Sequence, residues 1–134
     1  MNEHIKNQVK EWYFFADKDI AAASELLRRE DLTNVVAFHC QQAVEKYIKA
    51  FMVANGMTIV KIHDLDKLNK LIKPIKDFQF NENILEHISQ LYTEERYPIG
   101  LGLLPDGIPS QNDAEEFYRF AKEVETKIKD AIIF

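Results

Sequence analysis

The chain has 134 residues, 46% hydrophobic and 29% charged, with a net charge of -5. That is one domain's worth of sequence with ordinary globular composition, which excludes low-complexity disorder. The acidic balance excludes a whole-surface basic footprint for nucleic acid, while leaving room for a small local basic site.

Only four Gly and four Pro occur, and long stretches lack both, which favours helices. The lone Cys40 has no partner for a disulfide or a zinc knuckle and suits a reducing cytoplasm. The first residues lack an apolar signal-like stretch, and no apolar run approaches the roughly 20 residues of a membrane helix. The expectation is a single cytoplasmic domain over 1–134 without membrane attachment.

In chain order, the first helix is expected over 5–30. Val9, Trp12, Tyr13, Ala16, Ile20, Ala23, Leu26 and Leu27 recur at three- and four-residue steps, the period of a helix with one buried face. The turn at 31–34 offers Asp, Thr and Asn side chains as N-caps. The second helix, 35–55, buries Val36, Cys40, Ala43, Val44, Tyr47, Ile48 and Phe51, and Asn55-Gly56 closes it. Residues 57–62 are apolar but have no partner strand, so they read as a connection. Asp64 caps a third helix over 65–75, ended by Pro74. Asn81 caps a fourth over 82–95, with Ile84, Leu85, Ile88, Leu91 and Tyr92 inward. Residues 98–109 hold three Gly and three Pro and read as a loop. The fifth helix, 113–133, opens on an Asn112–Glu115 capping box and buries Phe117, Phe120, Ala121, Val124, Ile128 and Ile132. The expected fold is all-α, an antiparallel bundle of about five helices.

The second helix carries the most informative string, His39-Cys40-Gln41-Gln42-Ala43-Val44-Glu45-Lys46-Tyr47-Ile48-Lys49-Ala50, followed by His63-Asp64-Leu65. Trp12 and Ala16-Asp17-Lys18-Asp19-Ile20 precede it, and Tyr92, Arg96-Tyr97-Pro98 and an acidic last helix follow. This ordered set, across essentially the whole chain, resembles the HEPN family. The resemblance implies a helical bundle, often homodimeric, in prokaryotes commonly paired with a minimal nucleotidyltransferase as a toxin–antitoxin module. Some members are metal-independent ribonucleases, with an Arg followed after four to six residues by a His. Here Leu101, Gly102 or Leu103 stands where that His would follow Arg96, and Arg28, Arg29 and Arg119 are no better placed. RNA cleavage needs a proton-transfer group such as His, so the expectation leans away from an enzyme.

The candidate ligand-binding residues are Arg96, Tyr97, His39, Gln42, Glu45, Lys46, Lys49 and His63. Arg96 would grip a phosphate bidentately and Tyr97 would stack on a base or accept a nucleotidyl group. Residues 42, 45, 46 and 49 share one polar face at helical spacing. A solvated face with a Glu45–Lys49 pair explains that spacing equally simply and is the favoured reading. His63 reads as fixing the connection against the second helix. Asp17 and Asp19 point to different faces and do not share a metal; one of them is placed to ion-pair with Lys46 or Lys49. No metal or cofactor is expected. The run Trp12-Tyr13-Phe14-Phe15 covers more than one helix face, so part of it emerges as a homodimer contact surface. The functional reading is a component of a HEPN–nucleotidyltransferase pair binding nucleotide, RNA or its partner. The alternatives are a divergent ribonuclease and a dimeric interaction module without a ligand.

Overall fold

The computed structural model describes residues 1–91 and 108–134. The described residues form five α-helices and a short 3-10 turn, with no strand. Two long helices, two short ones and a long C-terminal one follow in the order the sequence predicts. None of them is long and apolar enough to cross a membrane.

Helix α1, Glu3–Leu26, is capped by the Asn2 side chain, which accepts from the Ile5 amide at 2.8 Å. Val9, Ala16, Ile20 and Ala23 form its buried stripe. It ends four residues earlier than the sequence pattern implies. The amides of Leu27 and Arg29 take the carbonyls of Ser24 and Leu26, which tightens the last turn. Gln111 Nε2 then donates to the Leu27 carbonyl at 2.6 Å, satisfying an acceptor left free by the helix end. The turn Glu30–Leu32 reverses the chain.

Helix α2, Thr33–Ala54, starts without a side-chain cap, contrary to the expectation for 31–34: Leu32 occupies the cap position and Thr33 is buried. Buried residues lie on nearly all sides of α2, as a central helix requires. Its end is as predicted. Gly56 adopts φ +72°, where a side chain would be strained. Met57 N bonds Met52 O at 2.9 Å and Gly56 N bonds Val53 O at 3.0 Å, a Schellman closure.

Asp64 caps helix α3, Leu65–Ile72, through the Lys67 amide. Asn81 caps helix α4, Glu82–Leu91, through the amides of Asn83 and Ile84. Between them, Gln79 takes φ +57° and accepts a turn held by the Asp77 side chain. That turn sends Phe78 and Phe80, on either side of it, into the core as stacked rings 5.2 Å apart. Helix α5, Gln111–Ala131, begins two residues before the expected box. Ser110 and Asp113 form the capping box instead of Asn112 and Glu115. Both sets fit the same spacing rule, and Ser110 lies directly after buried Pro109, where the chain turns into the helix.

α1 runs along α2 in the most extensive helix pairing, α5 packs on α2, and α3 and α4 lean on α2 and on each other.

Candidate functional site

Packed helix pairs ordinarily bury apolar side chains between them. The contact between α1 and α2 is interrupted by a row of polar ones. Asp19, buried on α1, is the first. His39 Nδ1 lies 2.9 Å from its Oδ1, and Lys46 Nζ donates to its Oδ2. His39 and Lys46 are seven apart, two helical turns, so both reach the same carboxylate from one face of α2. Their side chains keep 26% and 23% of their exposure, so this group opens to solvent.

A second carboxylate sits one turn deeper. Glu45 and Lys49 form the i,i+4 pair the sequence predicts, at 3.0 Å, but the pair is buried: the side chains are only 7% and 5% exposed. The solvated-face reading is therefore overturned. The cause lies far away in sequence. His63, from the connection ahead of α3, places Nδ1 3.1 Å from both Glu45 oxygens. Gln41, fully buried, donates to Glu45 Oε1 and to the His63 carbonyl, each at 3.2 Å. These contacts cover the pair, and they fix the connection against α2 as expected for His63.

Gln42 extends the Glu45 group. Its Nε2 donates to Gln41 Oε1 at 2.6 Å. At the far end, the Lys49 ammonium lies 5.9 Å from the centre of the Trp12 ring. Trp12 and Asp19 are seven apart on α1, and they meet Lys49 and Lys46 of α2 in reverse chain order. The result is a polar seam of two neighbouring hydrogen-bonded groups, about 15 Å long at 1.5 Å per residue from His39 to Lys49. Six of the eight candidate residues lie on it: His39, Gln42, Glu45, Lys46, Lys49 and His63. Arg96 and Tyr97 lie outside the described residues, as do Tyr92 and the expected last turn of the fourth helix.

Charge in the seam is balanced. Lys46 faces Asp19 and Lys49 faces Glu45, so neither ammonium is available as a bare cation. The sequence reading undervalued Asp19 and passed over Gln41, whose role depends on a carbonyl 22 residues away. The offset of seven between Trp12 and Asp19 was the legible signal.

Asp17 and Asp19 do face different partners. Asp17 belongs to a separate cluster, where its Oδ1 accepts from Tyr47 Oη and from Lys129 Nζ. Glu125 accepts from the same Tyr47 at 3.1 Å and from Lys122 and Lys129. Burial followed by the hydrogen bond to Asp17 drives the Tyr47 phenol far above its ordinary range. Burial alone would raise Glu125, but the bonds from Lys122 and Lys129 outweigh it and hold the carboxyl below its usual value. This cluster ties α1, α2 and α5 together. Among the described residues, no three His, Cys, Asp or Glu side chains gather as metal ligands.

The five helices of the described residues form the all-helical bundle that the HEPN resemblance implies. The HEPN domain model matches residues 9–131, nearly the whole chain, and the chain belongs to that family. No curated protein and no solved structure matches it.

Proposed function

We propose that this HEPN domain is the nucleotide-binding half of a pair with a minimal nucleotidyltransferase, and that the nucleotide or RNA lies along the α1–α2 seam. The observation that carries this reading is the pair of polar groups on α2, Asp19–His39–Lys46 and Gln42–Gln41–Glu45–Lys49–His63. Buried ion pairs roughly break even against apolar residues of the same volume, so stability alone does not call for them. Because the lysines are neutralised, affinity would come from hydrogen bonds to a base and stacking on Trp12, with phosphate left to Arg96. Base stacking contributes about 1–3 kcal/mol per base.

Trp12 is the only tryptophan and reports directly on the seam. Titration with ATP and with a short single-stranded RNA is expected to quench its emission, with Lys46→Gln weakening binding by about tenfold, or ~1.4 kcal/mol. Flat titrations with both ligands would move the protein to the class of dimeric interaction modules without a ligand.

A second reading has its own observation. A carboxylate only accepts, so the Asp19 contact puts the ring hydrogen of His39 on Nδ1 and leaves Nε2 of the neutral ring as an acceptor. That is the arrangement of a general base, and it would serve RNA cleavage without the usual Arg–His spacing. Cleavage of RNA by the wild type and equal cleavage by His39→Ala would mean a contaminating nuclease and end this reading.

A further inference from the structure

Beside the seam lies an apolar groove of about 660 Å³, formed by α1 and the chain that follows α2. Trp12 and Phe15 line it from α1, Met57 and Ile59 from the other side. Phe15 is 53% exposed and Ile59 37%, and Phe14, also exposed, meets the Phe15 ring edge-on at 5.2 Å. Contiguous exposed apolar surface of this kind marks a contact site.

The groove's polar lining is Gln8 and Glu11, with no lysine or arginine. The three lysines of α1 are engaged elsewhere: Lys6 with Glu3, Lys10 over the Phe134 ring and Lys18 over the Phe14 ring. Lys61, two residues past Ile59, does not line it.

We propose that this groove receives an amphipathic helix of a basic partner protein, with aliphatic anchors between Phe15 and Ile59 and a lysine or arginine beside Glu11. The α1 side of the groove runs from Ile5 to Phe15, about 15 Å at 1.5 Å per residue, which matches helix anchors spaced at i, i+4 and i+7. Charge selects the occupant. A second copy would bring another net charge of -5 and another Glu11 to a lining without cations. A nucleic acid would find no phosphate partner in it. A basic helix meets complementary potential. The site deepens the pairing proposed above by giving the partner a place to dock. Its occupation is independent of nucleotide.

The test uses two labelled synthetic peptides of about 15 residues, long enough for four helical turns. Both carry the same leucine face; one is flanked by lysine, the other by glutamate. Anisotropy titrations against the full chain are expected to show micromolar binding of the lysine peptide and at least about tenfold weaker binding of the glutamate peptide. Phe15→Asp, at an exposed position, is expected to weaken the lysine peptide about tenfold at unchanged melting temperature, and Glu11→Gln to shrink the preference to under about threefold. Equal affinities, absence of binding, or indifference to Phe15→Asp each overturn the proposal. So does a dimer at about 100 µM that Phe15→Asp dissociates, since the groove would then belong to a second copy. The seam variant Lys46→Gln separates the two readings: peptide binding that survives in it, or in a wild type that ignores nucleotide, supports the groove whatever the fate of the seam.

Discussion

The seam and the aromatic ladder both bury side chains of α2, and they do it by opposite physics. The ladder runs Phe51 to Phe78 at 4.9 Å, Phe78 to Phe80 at 5.2 Å and Phe80 to Phe120 at 6.2 Å, joining α2, the segment before α4 and α5. Its rings gain from leaving water, and their edge-to-face contacts at Phe51–Phe78 and Phe80–Phe120 add to that. The seam buries ionised groups instead, and most of what their pairing returns is offset by the loss of hydration. A ladder residue therefore works for the fold, whereas burial by itself does not account for a seam residue.

The comparison breaks most visibly under truncation. Phe80→Ala should cost about 3–5 kcal/mol by urea unfolding, through lost burial and the cavity it leaves. In the seam, Glu45→Gln should cost about 3 kcal/mol, because Lys49 stays buried without a counter-charge. The double variant Glu45→Leu with Lys49→Leu sharpens the contrast: we expect it within about 1 kcal/mol of the wild type, since both buried charges are gone. No such rescue is available in the ladder. A double variant as unstable as Glu45→Gln would mean that the seam is a structural element after all.

A smaller effect comes from the Tyr47 cluster, which belongs to neither region. Tyr47→Phe should cost about 1 kcal/mol, because Asp17 and Glu125 keep Lys129. Its pH dependence is more telling. Burial, helped by nearby Asp17, pushes the Tyr13 phenol up to about 12. Burial, helped by Asp19, pushes the Cys40 thiol up to about 12. Tyr47 moves in the same direction. The unfolded chain releases these protons near the ordinary thiol and phenol values, about 8.5 and 10. Between those values and the folded ones the folded chain binds more protons, so stability is full below about pH 8.5 and falls as pH rises. Melting temperatures from pH 7 to 11 should show that fall, and Tyr47→Phe should flatten it. The smallest effect, about 1 kcal/mol or less, is expected for Ser110→Ala, which removes a cap and leaves seam and ladder alike.

The helices were legible because burial on one face imposes a 3.6-residue period, and the ends at Gly56, Asp64 and Asn81 because each carries local cap chemistry. The start of α5 was misread because Asn112–Glu115 obeys the same local rule as Ser110–Asp113, and only the surrounding chain chooses between them. Phe78 and Phe80 escaped notice because a left-handed Gln79, which no spacing rule announces, turns both inward. The site was legible as residue types but not as environment. Spacing placed Glu45 with Lys49, yet whether that pair is wet or dry depends on His63, eighteen residues on, and spacing along one helix says nothing of that.

The most direct test of the account is the map of backbone amide shifts, by two-dimensional NMR, as ATP or a short RNA is added to the labelled protein. The account predicts shifts at Trp12, Asp19, His39, Gln42, Lys46, Lys49 and His63, with Phe51, Phe78, Phe80 and Phe120 unmoved. Shifts confined to other surfaces, or none at saturating ligand, would contradict it.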